Sequence, residues 1–231
     1  MTENFEAKPL NTNFSASRIS PHIRVTERSQ IMEAIMTFFA VNFDLPILEW
    51  IQAHLQCGVL DFLMPIITLF GEGGIFWIAW AVVLLFIPKY RKVGWSMGVA
   101  LILGVLVCNV TLKPLIARPR PYDFQLTQFG KEIQLLIAAQ HDFSFPSGHT
   151  IASFEASTVL LIHDKRMGIP AVILAVLVTF SRLYLYVHYP TDVIFSFFAG
   201  IGFAFLGTFI VRKIYDHLPA PKSKGGKYLA K

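Results

Sequence analysis

Long apolar runs, each about the length of a membrane span, alternate with short polar stretches along this chain. Runs near 20 residues predict transmembrane helices. Val93–Leu112, Ile169–Val187 and Thr191–Val211 fit that length. Leu60–Ile87 is longer than one span needs, and Gly71, Gly73 and Gly74 interrupt it, which predicts a kinked helix or two helices in succession. His149–Ile162 is short, and its start is expected to lie in a cavity rather than in lipid. These five runs predict an all-α, polytopic transmembrane helical bundle. Ile31–Gln56 is more polar, being punctuated by Glu33, Asn42, Asp44, Pro46 and Glu49. A sixth span at about 31–51 is possible there. Within it Leu45–Leu55 places Ile47, Leu48, Ile51 and Leu55 at helical spacing, the pattern of an N-terminal interfacial helix. The bundle thus has five to six spans.

Composition supports membrane residence. Only 15% of the 231 residues are charged and 54% are hydrophobic, where a soluble domain carries about 25% charge. The net charge of +5 does not point to nucleic acid, because the cations sit mostly in short loops and the C-terminal tail. Residues 1–30 are polar and broken by Pro9, Arg18, Pro21, Arg24 and Arg28; they lack the apolar core of a signal peptide and are expected to form a disordered tail. Residues 31–215 are expected to form the membrane domain and 216–231 a basic cytoplasmic tail. Cys57 and Cys108 have neither the spacing of a zinc site nor that of a disulfide framework.

Lys89, Arg91 and Lys92, then Lys165 and Arg166, then Arg212 and Lys213 fall in alternate connections, which marks that side as cytoplasmic. Three polar stretches fall on the opposite side: Lys113–Pro121, Pro146–His149 and Ser181–Asp192. Charge at a membrane boundary against the positive-inside rule is a functional-site signal. His188 and Asp192 stand four apart, with Pro190 expected to start the last helix between them, so an Asp can orient an imidazole whose other nitrogen is free. The same pair could simply cap a helix. Pro146-Ser147-Gly148 leads into a helix start whose free N–H groups suit an anion, and His149 on that turn can act as a general acid. Lys113, Arg120 and Arg182 can hold phosphate oxygens. Arg118 reads instead as a cation snorkelling at the boundary. Glu155, six residues past His149, either faces the interior cavity or bonds a neighbouring helix. The connection Tyr122–Phe145 shows no clear element, and its apolar patch Ile133–Ala139 is expected to dip into the outer leaflet.

Together the three stretches resemble the type-2 phosphatidic acid phosphatase family, whose pattern is K-x6-RP, PSGH and SR-x5-H-x3-D. Here these are Lys113 with Arg120 and Pro121; Pro146 to His149; and Ser181, Arg182, His188 and Asp192. The resemblance implies an integral-membrane lipid phosphatase. In it His188 is the nucleophile that forms a phosphohistidine, Asp192 orients it, and His149 protonates the leaving group. Lys113, Arg120, Ser147, Gly148 and Arg182 bind the phosphate. It implies no cofactor and no metal. Substrates in view are undecaprenyl pyrophosphate, phosphatidylglycerophosphate and phosphatidic acid, in a bacterial plasma membrane with the site on the non-cytoplasmic side. Two other readings remain: a non-catalytic lipid-phosphate binder or transporter, and a vanadate-dependent activity, since vanadium haloperoxidases resemble the same motifs.

Overall fold

The computed structural model describes residues 21–217, and every regular element among them is a helix. The chain falls into two compact units, 1–37 and 38–231. In the first, helix α1 (Pro21–Phe39) opens on a proline, which fits a first helical position because the N–H it lacks has no partner there. The tail expected over residues 1–30 is therefore helical from Pro21 onward; residues 21–30 contain no glycine and no further proline to break a helix. The rest of that tail, 1–20, lies outside the described residues. So does 218–231 of the expected basic tail, whose first two residues close the last helix.

In the second unit a π-helical turn, Ala40–Asp44, precedes α2 (Leu45–Leu55); of the expected face Leu48 and Ile51 are buried and Ile47 and Leu55 half-buried, with Leu45 buried beside them. Helix α2 is not a separate surface element. It completes Gln30–Leu55, one of five stretches long and apolar enough to cross a membrane. The others are Gly58–Phe86, Pro88–Phe129, Lys165–Tyr184 and Pro190–His217. The predicted interruption at the glycines is present. Helix α3 (Gly58–Thr68) ends in a 3-10 turn, Leu69–Gly74, before α4 (Ile75–Phe86). Gly73 and Gly74 take positive φ of 55° and 67°, a region nearly closed to other residues.

After a short turn, α5 (Arg91–Gly104) continues as a π-helical segment, Val105–Leu112, into α6 (Lys113–Ile116). Helix α7 (Pro121–Phe129) occupies the start of the connection expected to be irregular, with proline at its first turn and a left-handed Gly130 at its end. The remainder, which includes the apolar patch, packs back onto the bundle with its alternate side chains. Ile133, Leu135 and Ile137 turn onto clusters around Leu48, Tyr186, Ile51 and Tyr184, while the alternate residues face out.

Helix α8 (Gly148–His163) is the centre of the bundle, packed by α5, α9 (Lys165–Tyr184) and α10 (Pro190–His217). At about 24 Å it is shorter than the roughly 30 Å hydrocarbon core. It buries Thr150, Ser153, Glu155 and Ser157, so it serves as an inner wall rather than a lipid-facing span. Small residues permit the close crossings. A side chain at Gly207 would meet the Ala100 nitrogen at 2.9 Å, and one at Gly200 the Ile151 carbonyl at 2.9 Å. Tyr90 Oη donates to Asp164 at 3.2 Å and Lys92 lies over the Tyr215 ring, so the basic turns gather at one end of the bundle. The three motif stretches gather elsewhere, around one cavity.

Candidate active site

The turn between α9 and α10 sets the geometry. Leu185 and Tyr186 donate back to the Ser181 and Leu183 carbonyls, Val187 donates to that of Arg182, and Tyr186 takes a left-handed φ of 59°. A tyrosine in that region costs of order 1–3 kcal/mol, and buried packing with a Gln125 hydrogen bond holds it there. The reversal aims His188 inward. Pro190 starts α10 and places Asp192 in its first turn, as the sequence predicted. Asp192 Oδ2 lies 3.5 Å from His188 Nδ1 and accepts the Tyr189 N–H at 3.0 Å. On the other side of the ring, His188 Nε2 is 3.4 Å from Arg120 Nη1 and faces the cavity.

Arg118 does not snorkel. It is 4% exposed and bridges two fully buried carboxylates, Asp192 at 2.5 Å and Asp44 at 2.7 Å. Its guanidinium also lies 3.8 Å above the Tyr189 ring. The planar fork explains why the site uses arginine, since an ammonium cannot serve two carboxylates and a ring together. Asp44 also accepts the Thr191 N–H at 2.8 Å and its hydroxyl at 2.7 Å, which ties the residues preceding α2 to the start of α10.

Lys113, Arg120, Gly148, His149, Arg182 and His188 all line one cavity of about 210 Å³. Arg120 donates to the Val187 carbonyl at 2.7 Å, and Arg182 donates to Thr68 at 2.7 Å. Arg182 Nε is buried with no partner, a free donor beside the cavity. Gly71 backs His149 closely: a side chain there would meet the imidazole at 2.6 Å. Glu72 Oε2 lies 3.4 Å from His149 Nε2, close enough for an ion pair but without hydrogen-bond alignment. Glu155 lines the deeper part of the cavity against Gly104, with Oε1 unpartnered.

Ser147 stands apart from the other predicted residues. It is fully buried behind the helix start, its N–H donates to Ser196 at 2.8 Å, and its hydroxyl accepts from Thr150 at 3.1 Å. It fixes the turn, while Gly148 forms the wall. Asp142 was not anticipated. Its carboxylate pairs with both Lys113 and Arg120, and its carbonyl accepts from Arg120 Nε at 2.9 Å. Burial alone would raise its pKa, but the Lys113 hydrogen bond and the Arg120 charge outweigh that and hold the carboxyl well below the usual range. Burial, followed by the charges of Arg120, Arg182 and Lys113, pushes the His188 pKa well below that of an ordinary imidazole.

A cavity lined by three cations, with a buried imidazole beside an aspartate, suits a phosphate group. Comparison with known proteins gives the family. Residues 93–216 match the model of the PAP2 superfamily. The chain belongs to that superfamily. It is 32% identical over 186 residues to an undecaprenyl-diphosphatase of Sulfolobus acidocaldarius, covering 78% of this chain and 86% of that one. It is 33% identical over 161 residues to phosphatidylglycerophosphatase B of Bacillus subtilis, covering 64% and 68%. The crystal structure of Aquifex aeolicus LpxE superposes with a TM-score of 0.61 at 25% identity, over 71% of this chain and 93% of that one. The transmembrane PAP2-type phosphatidylglycerolphosphate phosphatase of Bacillus subtilis shares the fold, with a TM-score of 0.57 at 24% identity over 86% and 97%. This PAP2 chain is a multi-pass membrane lipid phosphatase.

In this PAP2 protein Asp142 pairs with two of the cavity's cations, Lys113 and Arg120, so a phosphate entering there would compete with its carboxylate. Asp142→Asn should therefore tighten inhibition by inorganic phosphate about tenfold, or roughly 1.4 kcal/mol. The inhibition constant measured against a lipid substrate checks this. Weaker inhibition would show instead that the carboxylate positions Lys113 and Arg120 for the phosphate.

Proposed function

We propose that this phosphatase hydrolyses undecaprenyl pyrophosphate through a phosphohistidine on His188. The observation that carries the mechanism is the polarity of the His188 ring. Asp192 stands 3.5 Å from Nδ1, without an aligned hydrogen bond, and its charge favours the proton on that nitrogen, which leaves Nε2 as the ring nitrogen that faces the cavity. Attack by Nε2 forms the N–P bond and breaks the bond from phosphorus to the bridging oxygen. His149 gives that oxygen its proton, and Asp192 offsets the charge that develops on the His188 ring. Lys113, Arg120, Arg182 and the Gly148 N–H surround the phosphoryl oxygens. Water then attacks the phosphohistidine, His149 takes its proton, and inorganic phosphate leaves.

Because the His188 pKa lies well below the ordinary imidazole value, its ring is unprotonated at neutral pH. Protonation removes the nucleophile, so the His188-dependent acid limb of kcat/KM should fall below about pH 6.5. A pH–rate profile measures it.

The named activities of the similar proteins support a lipid pyrophosphate or phosphomonoester as substrate. Among the described residues no three His, Cys, Asp or Glu side chains are grouped to hold a metal ion. The family resemblance implies turnover without a metal ion, which the assay in EDTA tests. The basic turns at the far end of the bundle support a cytoplasmic face there, with the cavity opening on the other side of a bacterial plasma membrane. The test is phosphate release by the purified protein in detergent with EDTA. Undecaprenyl pyrophosphate, phosphatidylglycerophosphate and phosphatidic acid are compared side by side, and the first should turn over fastest. Tight binding of all three without turnover would favour the binder reading.

A further inference from the structure

The turn Leu69–Gly74 does more than separate α3 from α4. Its backbone leaves the helical region at Glu72 (φ −61°, ψ 118°) and is left-handed at Gly73 and Gly74. That path sets it against the start of α8. A side chain at Gly71 would meet the His149 ring at 2.6 Å, and one at Gly74 would touch Ala152 at 3.6 Å. Between these two glycines the turn presents Glu72, whose Oε2 lies 3.4 Å from His149 Nε2. An acid inside an apolar span is costly and calls for a partner, and His149 is the partner it meets.

His149 lines the catalytic cavity, but its Nε2 is closed off from solvent beside Glu72. Nδ1 is the ring nitrogen left to meet a ligand. His188 has the opposite polarity, with Asp192 at Nδ1 and Nε2 toward the cavity. Each imidazole thus has a carboxylate at one nitrogen. The other charges facing His149 are the cations Arg182 of α9 and Arg120 ahead of α7, and the His188 ring also stands in the cavity. Lys113 of α6 and Asp142 of the later loop line the same cavity, paired with each other. Glu155 is six residues further along α8, roughly 9 Å away. Burial and the two arginines disfavour an imidazolium at His149; among the described residues Glu72 is the one carboxylate that reaches the ring and favours it.

We infer that Glu72 is a positioning residue for the reaction: its charge keeps a proton on His149 Nε2 and the ring an imidazolium, so that the Nδ1 proton is ready for the leaving oxygen. The glycines on either side give the turn the shape this contact needs. In the first step the Nδ1 proton goes to the leaving oxygen as the bond from phosphorus to that oxygen breaks. The ring is left neutral with its Nε2 proton in place, and Glu72 stays ionised. In the second step Nδ1 takes a proton from the attacking water, which restores the imidazolium. Glu72 therefore matters in proportion to the leaving oxygen's need for a proton. The alkoxide of a glycerol lipid needs one, whereas an aryl oxide that is stable as an anion hardly does. This inference rests on the proposed role of His149 as general acid.

The experiment varies Glu72 and the leaving group together. Glu72→Gln keeps the shape of a side chain that is 59% exposed, so the fold should be retained, which the unfolding temperature checks. Full-length protein in detergent is assayed for kcat/KM across pH with phosphatidic acid and with p-nitrophenyl phosphate. Glu72→Gln should lose about tenfold or more with phosphatidic acid and much less with the aryl ester. The basic limb of its phosphatidic acid profile should also move to lower pH, by on the order of one unit, because an imidazolium without its carboxylate gives up its proton sooner. Glu72→Asp keeps the charge and should recover part of both effects. An equal loss on the two substrates, or a basic limb that stays in place, would overturn the inference and make Glu72 a structural part of the turn. His149→Gln serves as the reference and should show the same dependence on leaving group. If it slows both esters alike, the general-acid role of His149 falls, and the inference with it.

Discussion

Arg118→Ala should both destabilise the protein and remove its activity. Asp44 and Asp192 are fully buried, and the Arg118 guanidinium is the only cation either contacts among the described residues. Stripping a buried ion pair of one partner typically costs about 3–5 kcal/mol, because the remaining charge has no solvent and no counter-charge. Here two carboxylates are left. Asp192 would also lose the bond that sets its orientation toward His188, so activity should fall further than stability alone explains. Arg118→Lys keeps the charge but cannot fork to both acids, and should be intermediate. Pairing Arg118→Ala with Asp44→Asn should recover part of the lost stability, a coupling that independent sites would not show. Thermal unfolding in detergent, with activity measured in parallel, checks each point. A change in Arg118→Ala within about 0.5 kcal/mol would make Arg118 an ordinary surface cation after all.

His188→Ala should abolish turnover with little effect on the fold. The ring is buried but lines the polar cavity and belongs to none of the apolar clusters, and its polar neighbours are Asp192 and Arg120. Loss of a nucleophile that acts as a unit with its partners costs on the order of 10⁴- to 10⁶-fold in kcat. Arg120, Lys113 and Arg182 stay in place, so the variant should still bind phosphate. Unchanged unfolding temperature, retained phosphate binding and absent turnover form the expected set.

Much of this was visible in the sequence, and the exceptions share a cause. The span lengths, the glycine break after α3, the proline start of α10 and the six cavity residues from the three motifs all follow from local signals. Hydrophobic periodicity, special backbone residues and motif spacing each act within a few residues. What escaped were pairings across long separations. Arg118 reads locally as one more boundary cation; its partners Asp44 and Asp192 lie 74 residues away on either side. Asp44 was visible as a charge interrupting an apolar run, and a buried acid in such a run demands a cation. Asp142 gave no such signal, because it sits in a polar loop. Only the fold returns that loop to Lys113, 29 residues earlier, and Arg120, 22 earlier. Ser147 lies behind the cavity wall rather than on it, for the opposite reason. Its motif position is real, but Ser196 from α10 takes its N–H, which no local pattern reveals.

The most direct test is to trap the phosphoenzyme. Undecaprenyl pyrophosphate carrying a radiolabelled terminal phosphate is mixed with the purified protein and quenched in base within a turnover. The expected result is a base-stable, acid-labile label on the wild-type chain, absent from His188→Ala. Label that persists in His188→Ala, or full phosphate release by that variant, would contradict the assignment of His188 as the nucleophile.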